Sequence, residues 1–231
     1  MGVIMEIKEI KKGVKISNGL STEAKLYLYD GVLYKIFENA SDIRVRENVL
    51  NELRHAPING CPRIYSLLYD YDFIGYGMEY LKNYIPLIKV KKLPLEAKKL
   101  YIHKLIELYN ELKDMGYIYW DFHERNVLVD FNELRLVDVD SCLYNTREND
   151  VLGTCYLNEL ILSILFDCKF FEIKPYFLES ERHEILNTLY SGLSYTYKEK
   201  GSLEELDEYT EEMTDKKIKS IKKRLPKAVL K

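Results

Sequence analysis

Hydrophobic and polar positions alternate with a period of two along residues 6–37, the pattern of strands with one face buried. Within that stretch Leu26-Tyr27-Leu28-Tyr29 and Val32-Leu33-Tyr34-Lys35-Ile36-Phe37 flank Asp30-Gly31, and the spacing predicts a hairpin turning at Asp-Gly. The period then lengthens. Ser41-Asp42 stands where a helix cap belongs, and Val45, Val49, Leu50 and Leu53 fall on one face of a helix reaching about His55. Pro57, Asn59, Gly60 and Pro62 break it, and residues 64–69 and 73–80 read as two further strands. Residues 1–77 are therefore predicted as a mostly β lobe carrying one helix.

Beyond residue 84 the pattern becomes helical. Pro94 opens a helix that runs to Met115, with Leu100, Ile102, Leu105, Ile106, Leu108, Tyr109 and Leu112 apolar, and Gly116 ends it. Val127-Leu128-Val129 and Leu134-Arg135-Leu136-Val137 read as two strands joined by a tight turn at residues 130–133, where Asp130 is read as a turn residue. Residues 156–167 form a strongly apolar, buried helix in this reading, and further helices fill 179–191 and 203–224. The last of these carries an acidic run (Glu204 to Glu212) and then a basic one (Lys216 to Lys227). The plain reading is a solvated helix face; the sharper one is a docking tail for an acidic partner.

Composition narrows the class. At 231 residues, 47% hydrophobic and 31% charged, the chain can bury the core of one large domain or two small lobes. A net charge of −3 argues against a nucleic-acid coat protein. Cys61, Cys142, Cys155 and Cys168 form no C-x-x-C pair, which fits free thiols in a reducing cytosol rather than a zinc or disulfide framework. With charges this early (Glu6, Lys8, Glu9, Lys11, Lys12) no signal peptide is expected, and the apolar run at 160–166 is too short to span a bilayer. A cytoplasmic protein without membrane or nucleic-acid partners is expected.

The candidate chemistry lies in residues 117–140. Asp121 precedes the second hairpin, Asn126 begins it and Asp138 stands at its exit, so the three can converge on one cleft. An amide oxygen and a carboxylate suit a hard cation, and a second carboxylate can orient a hydroxyl, as a magnesium nucleotide requires.

The run Gly116-Tyr-Ile-Tyr-Trp-Asp-Phe-His-Glu-Arg-Asn-Val-Leu-Val-Asp130 resembles the catalytic loop of the protein-kinase-like superfamily. Other segments agree in order and spacing. Val32-Leu33-Tyr34-Lys35-Ile36 resembles the strand of the phosphate-binding lysine, and Arg46-Glu47 through Pro57 resembles the helix carrying its glutamate partner. Met78-Glu79-Tyr80-Leu81 is similar to the hinge, Asp138-Val139-Asp140 to the metal-binding segment, and residues 150–160 to a buried anchoring helix. The resemblance implies an α+β, bilobal protein-kinase-like fold: a small β-rich N-lobe (1–77), a hinge (78–83) and a reduced helical C-lobe (84–231) holding the catalytic loop 119–126 and the metal segment 138–140.

By the same resemblance, Lys35 contacts the α- and β-phosphates of ATP and Glu47 holds it, with Glu52 a less suitable partner. Asp138 takes Mg2+ that bridges the phosphates, and Asn126 takes a second Mg2+ or steadies the loop; Mn2+ is an equally suited oxygen-seeking substitute. Asp121 orients the attacking hydroxyl. The Glu79 carbonyl and Leu81 amide pair with adenine, Met78 and Leu128 line its pocket, and Gly19 and Ser21 belong to the phosphate-covering loop, where Ala24 replaces a second glycine.

Three departures shape the functional expectation. Leu33 stands where alanine is usual above the adenine. Trp120 replaces the arginine that pairs with a phosphorylated activation loop, and residues 141–149 form a short segment without Ala-Pro-Glu, so control by loop phosphorylation is not expected. His123 makes the loop similar to that of aminoglycoside and choline kinases. The leading expectation is transfer of the ATP γ-phosphate to a serine or threonine hydroxyl of a protein. The alternatives are a small-molecule kinase of the aminoglycoside/choline type and a nucleotide-binding pseudokinase.

Overall fold

A computed structural model describes residues 7–16, 23–39, 41–90, 93–130, 133–168, 174, 179–191 and 211–225. The chain divides into two compact units: Met1–Tyr84 with Arg135–Cys142, and Ile85–Leu134 with Leu143–Lys231.

The first unit holds α1 (Ile7–Ile10), β1 (Val14–Ile16), β2 (Ala24–Tyr29), β3 (Val32–Phe37), α2 (Ile43–His55), β4 (Ile64–Asp70) and β5 (Asp72–Glu79). Its five strands form one antiparallel sheet in the order β1-β2-β3-β5-β4. The β2–β3 hairpin turns at Asp30 and Gly31, whose φ angles of 47° and 75° are both left-handed, which is why Asp-Gly belongs there. Gly75 on β5 lets two backbones meet, since a Cβ at that position would stand 2.2 Å from the Lys35 carbonyl oxygen.

Residues 6–37 are not all strand, as their alternation suggested. Ile7–Ile10 is a helical turn, and its three-residue spacing brings Ile7 and Ile10 to the same side, against the sheet. Ile10 is fully buried with Tyr34, Ile36 and Leu68, and Ile7 packs on that cluster. The strand period sends Lys35, between Tyr34 and Ile36, to the opposite face. Tyr76 stands directly across from Lys35 in the β3–β5 register.

The expected cap of α2 also differs. Asp42 precedes the helix in a left-handed conformation (φ 53°, ψ 33°) and its side chain makes no capping bond. The Val45 and Arg46 amides bond to the Asp42 carbonyl, and the Arg46 guanidinium donates from Nε to the Ser41 carbonyl at 2.9 Å. Arg46, Val49, Leu50 and Leu53 form the buried stripe of the helix, while Val45 is only half-buried.

The second unit is mainly helical: α3 (Leu95–Asp114), α4 (Arg147–Phe166), α5 (Glu179–Ser191) and α6 (Glu211–Arg224), with short strands β6 (Ile85–Pro86), β7 (Tyr117–Tyr119) and β8 (Val127–Asp130). β9 (Glu133–Leu136) and β10 (Cys142–Tyr144) straddle the unit boundaries. β6 pairs antiparallel with β8, Ile85 opposite Val129. Gly116 leaves α3 with a φ of 91°.

Helix α4 starts nine residues earlier than the apolar run suggested, because Thr146 caps it by accepting the Asn149 amide at 3.3 Å. Its polar first half includes Gly153, where a Cβ would press to 2.6 Å on the Ile118 side chain and 2.8 Å on the Tyr119 carbonyl oxygen. Of the expected helix at 203–224, residues 203–210 lie outside the described residues. The part that is described is no plainly solvated face. Ile218 and Ile221 are buried, Arg224 donates to both oxygens of Glu181 at 2.8 Å, and Asp215 meets Lys99 at 2.9 Å. Buried Lys98 pairs with Asp167, which Lys222 also approaches at 3.5 Å.

This is a mixed α and β architecture compatible with the α+β class. The segment Arg135–Cys142, read from sequence as part of the second lobe, clusters with the first unit. The Leu136 amide bonds to the Gly60 carbonyl and the Arg135 guanidinium to that of Asn59, each at 2.8 Å. No described helix is long and apolar enough to cross a membrane.

Candidate active site

Within the first unit, β3 delivers Lys35 to the turn that follows β9. Its ammonium donates to Asp138 Oδ1 at 3.2 Å and to Asp140 Oδ1 and Oδ2 at 2.8 and 3.1 Å. Asp140 is the centre of the arrangement. Its fully buried carboxylate also accepts from Arg46 Nη1 at 2.6 Å and from the Tyr76 hydroxyl at 2.6 Å. Four bonds from three side chains satisfy an anion that burial alone would make very costly. The second arm of Arg46 reaches Glu23 at 3.0 Å. The Phe37 ring lies beside both cations, 5.8 Å from the Lys35 nitrogen and 5.5 Å from the Arg46 guanidinium carbon.

The electrostatics follow from this packing. Burial opposes the charge on Lys35, but the Asp140 and Asp138 carboxylates outweigh it and hold the ammonium above its ordinary pKa. Burial likewise pushes Asp140 upward, and Lys35, Tyr76 and Arg46 together reverse that and keep it below the usual carboxylate range. Burial, with the Asp140 charge beside it, pushes the Tyr76 phenol well up, so it stays a donor.

Asp138 is held differently. It occupies a left-handed conformation (φ 56°, ψ 35°), its carbonyl accepts the Ser141 amide at 2.9 Å, and its side chain is 41% exposed. Two carboxylates in one turn thus share one lysine: a sealed one at 140 and an open one at 138.

The structure does not join Lys35 to Glu47. Glu47, half-buried on the flank of α2, accepts the Tyr69 hydroxyl at 2.8 Å. The reason is helical geometry, because residue 46 shares the inward stripe with Val49, Leu50 and Leu53, and residue 47 is turned about 100° from it. Glu52 is exposed. Met78 is buried near the end of β5, Glu79 closes that strand with its amide on the Arg63 carbonyl at 2.9 Å, and Leu81 and Leu33 are half-buried. Gly19 and Ser21 lie outside the described residues.

In the second unit Asn126 and Asp121 come together. Buried Asn126 donates from its side-chain nitrogen to Asp121 Oδ2 at 2.9 Å, to the Asp121 carbonyl at 3.2 Å and to the Tyr119 hydroxyl at 3.1 Å. The Asn126 amide bonds to the His123 carbonyl at 2.9 Å, which closes the loop between them. His123 Nε2 lies 3.5 Å from the other Asp121 oxygen, and its Nδ1 accepts the Arg125 amide at 3.2 Å. Phe122 anchors the loop from below, edge-on to Tyr119 and Tyr109 with centroids at 4.8 and 5.7 Å. Trp120 packs near Tyr156 at 6.1 Å. Leu128 is half-buried on β8, and Asp130 ends that strand.

Sequence reasoning missed Asp140, Arg46 and Tyr76. A signal for Arg46 existed, since it falls three and four residues before Val49 and Leu50 on the apolar stripe. Asp140 had no local signal, because its partners come from β3, α2 and β5. Among the described residues no group of three or more His, Cys, Asp and Glu stands together as a preformed metal cage. The open Asp138 carboxylate is by itself a donor suited to a cation of the magnesium type, which takes one or two protein ligands and leaves the rest to phosphates and water. With its nitrogen spent on Asp121 and Tyr119, Asn126 has its carbonyl oxygen as the atom suited to a cation. A scan against protein-family models finds no match to this chain, and a search of curated proteins finds none either.

Proposed function

We propose that this protein is a phosphotransferase of the protein-kinase-like type that uses ATP and Mg2+ and passes the γ-phosphate to a serine or threonine hydroxyl of a protein. The bilobal reading, with residues 78–83 as hinge, belongs to the same proposal. One observation carries it. A buried lysine on the third strand of an antiparallel sheet meets a half-exposed aspartate 103 residues on, at 3.2 Å. A fixed cation beside an open carboxylate supports binding of a phosphate chain and its metal. The metal would lend charge neutralisation to the phosphates when bound, held by Asp138 and the Asn126 oxygen.

The remaining chemistry falls to the chain's own groups. Lys35 is a point charge suited to phosphate oxygens. Asp121, steadied by Asn126, would orient the acceptor hydroxyl and take its proton. Positioning dominates, because phosphoryl transfer passes through a loose transition state that needs electrostatic support more than a strong base. Met78, Leu128, Glu79 and Leu81 are proposed for the adenine, and the loop with Gly19 and Ser21 for the phosphates.

The reading is tested with purified protein, labelled ATP and Mg2+, with casein and a basic histone mixture as acceptors. Label on serine or threonine supports it. His123 beside Asp121 favours a second reading, a small hydroxylated acceptor. Label confined to an aminoglycoside or amino alcohol in the same assay would establish that one instead. A nucleotide-induced rise in melting temperature without transfer would point to a pseudokinase.

A further inference from the structure

We infer that Asp140, and not a glutamate of α2, positions Lys35 for phosphate, with Arg46 as the second cation that holds Asp140 in place. This rests on the phosphotransferase reading and adds to it a positioning residue that the catalytic-loop resemblance does not supply.

α2 turns a cation inward at residue 46, so the helix offers Lys35 repulsion rather than a partner. Asp140 resolves this by lying between the two, with both of its oxygens on Lys35 and one of them also on Arg46. Without it two buried cations would share a pocket beside Phe37. Tyr76 completes the hold from the strand position opposite Lys35.

The two aspartates then divide the work. Asp140 is sealed and makes four bonds, so it stays with Lys35. Asp138 is more open and its one contact to Lys35 is longer, so it can turn to a cation without freeing the lysine. Both sit on one short turn, Asp138 to Ser141, closed by the Ser141 amide on the Asp138 carbonyl. Lysine and metal carboxylate are therefore placed by the same few residues. A swing of α2 would not pull a glutamate away from the lysine, because none is there.

The test compares full-length wild type, Asp140→Asn and Glu47→Gln in the labelled-ATP assay, with kcat and the KM for ATP determined separately and urea unfolding used to fix the folded fraction of each. Asp140→Asn is expected to lower kcat per folded molecule about 100-fold, the order lost when one preorganised charge is removed. Glu47→Gln should stay within about twofold. A purely structural Asp140 would lower the folded fraction and leave kcat per folded molecule unchanged. If Asp140→Asn does not fold, Asp140→Asn/Arg46→Met removes one charge of each sign and serves the same readouts. An active wild type with an unimpaired Asp140 variant, or a 100-fold loss in Glu47→Gln instead, overturns this role alone. A wild type that transfers phosphate to no acceptor overturns the functional reading and this role with it.

Discussion

Lys35 and Asp140 are 105 residues apart in the chain, yet the ammonium of one lies 2.8 Å from the fully buried carboxylate of the other. Arg46 and Tyr76 close on the same carboxylate, and this buried group ties three separate elements of the first unit together. Its energetics are asymmetric. Replacing the whole set with apolar residues could be nearly neutral, whereas removing one charge strands the others.

Asp140→Ala should therefore destabilise the protein by about 3–5 kcal/mol, the usual cost of breaking a buried ion pair from one side. Tyr76→Phe removes one bond and no charge, and should cost only about 1–2 kcal/mol. Urea unfolding of the two variants beside wild type checks the order. Equal and small losses would mean that the carboxylate is not held as described.

The same pair fixes the sign of a pH dependence. Against burial, the Asp140 pKa is lowered by Lys35 and Tyr76, so its contribution is present above the unfolded value and is lost as pH falls through the folded one. Lys35 is raised, so its contribution is present below the ordinary lysine value and lost only as pH rises through the folded value. The stability gap between wild type and Asp140→Asn should be constant near neutrality and shrink below about pH 4, where an ordinary carboxylate takes up its proton. Urea midpoints measured from pH 2 to 7 test this, and a gap that widens in acid would reverse the assignment.

Two glycines should tolerate alanine badly, and unequally. At Gly75 the new Cβ meets backbone, the Lys35 carbonyl oxygen at 2.2 Å, which no rotamer change can relieve. At Gly153 it meets the Ile118 methyl at 2.6 Å and the Tyr119 carbonyl at 2.8 Å, and alanine's better helix propensity returns part of the loss. Gly153→Ala should cost about 1–3 kcal/mol, the range for overpacking, and Gly75→Ala should cost more. Denaturant midpoints decide the order.

Much of the local architecture is legible in the chain. The Asp30-Gly31 turn, the alternation that sends Lys35 away from Tyr34 and Ile36, and the α2 stripe through Val49, Leu50 and Leu53 are all local patterns. Proximity within residues 121–126 is equally local, since five residues separate Asp121 from Asn126. What is not legible is non-local. Arg46 reads as a polar residue on an apolar stripe until its partner 94 residues on is known. Asp140 reads only as the last residue of the metal segment that Asp138 opens, with no role of its own. The single turn at Ile7–Ile10 is too short for a helical period to declare itself, and its identity depends on the sheet beneath it.

Asp138 is the residue on which phosphate transfer depends in this proposal. In the labelled-ATP assay with Mg2+, wild type should place phosphate on serine or threonine of an added protein. Asp138→Asn should lose at least about 100-fold of that rate, with its unfolding midpoint close to wild type because the side chain is half-exposed. Undiminished transfer by Asp138→Asn, or no transfer by wild type to protein or small-molecule hydroxyls, would contradict the account.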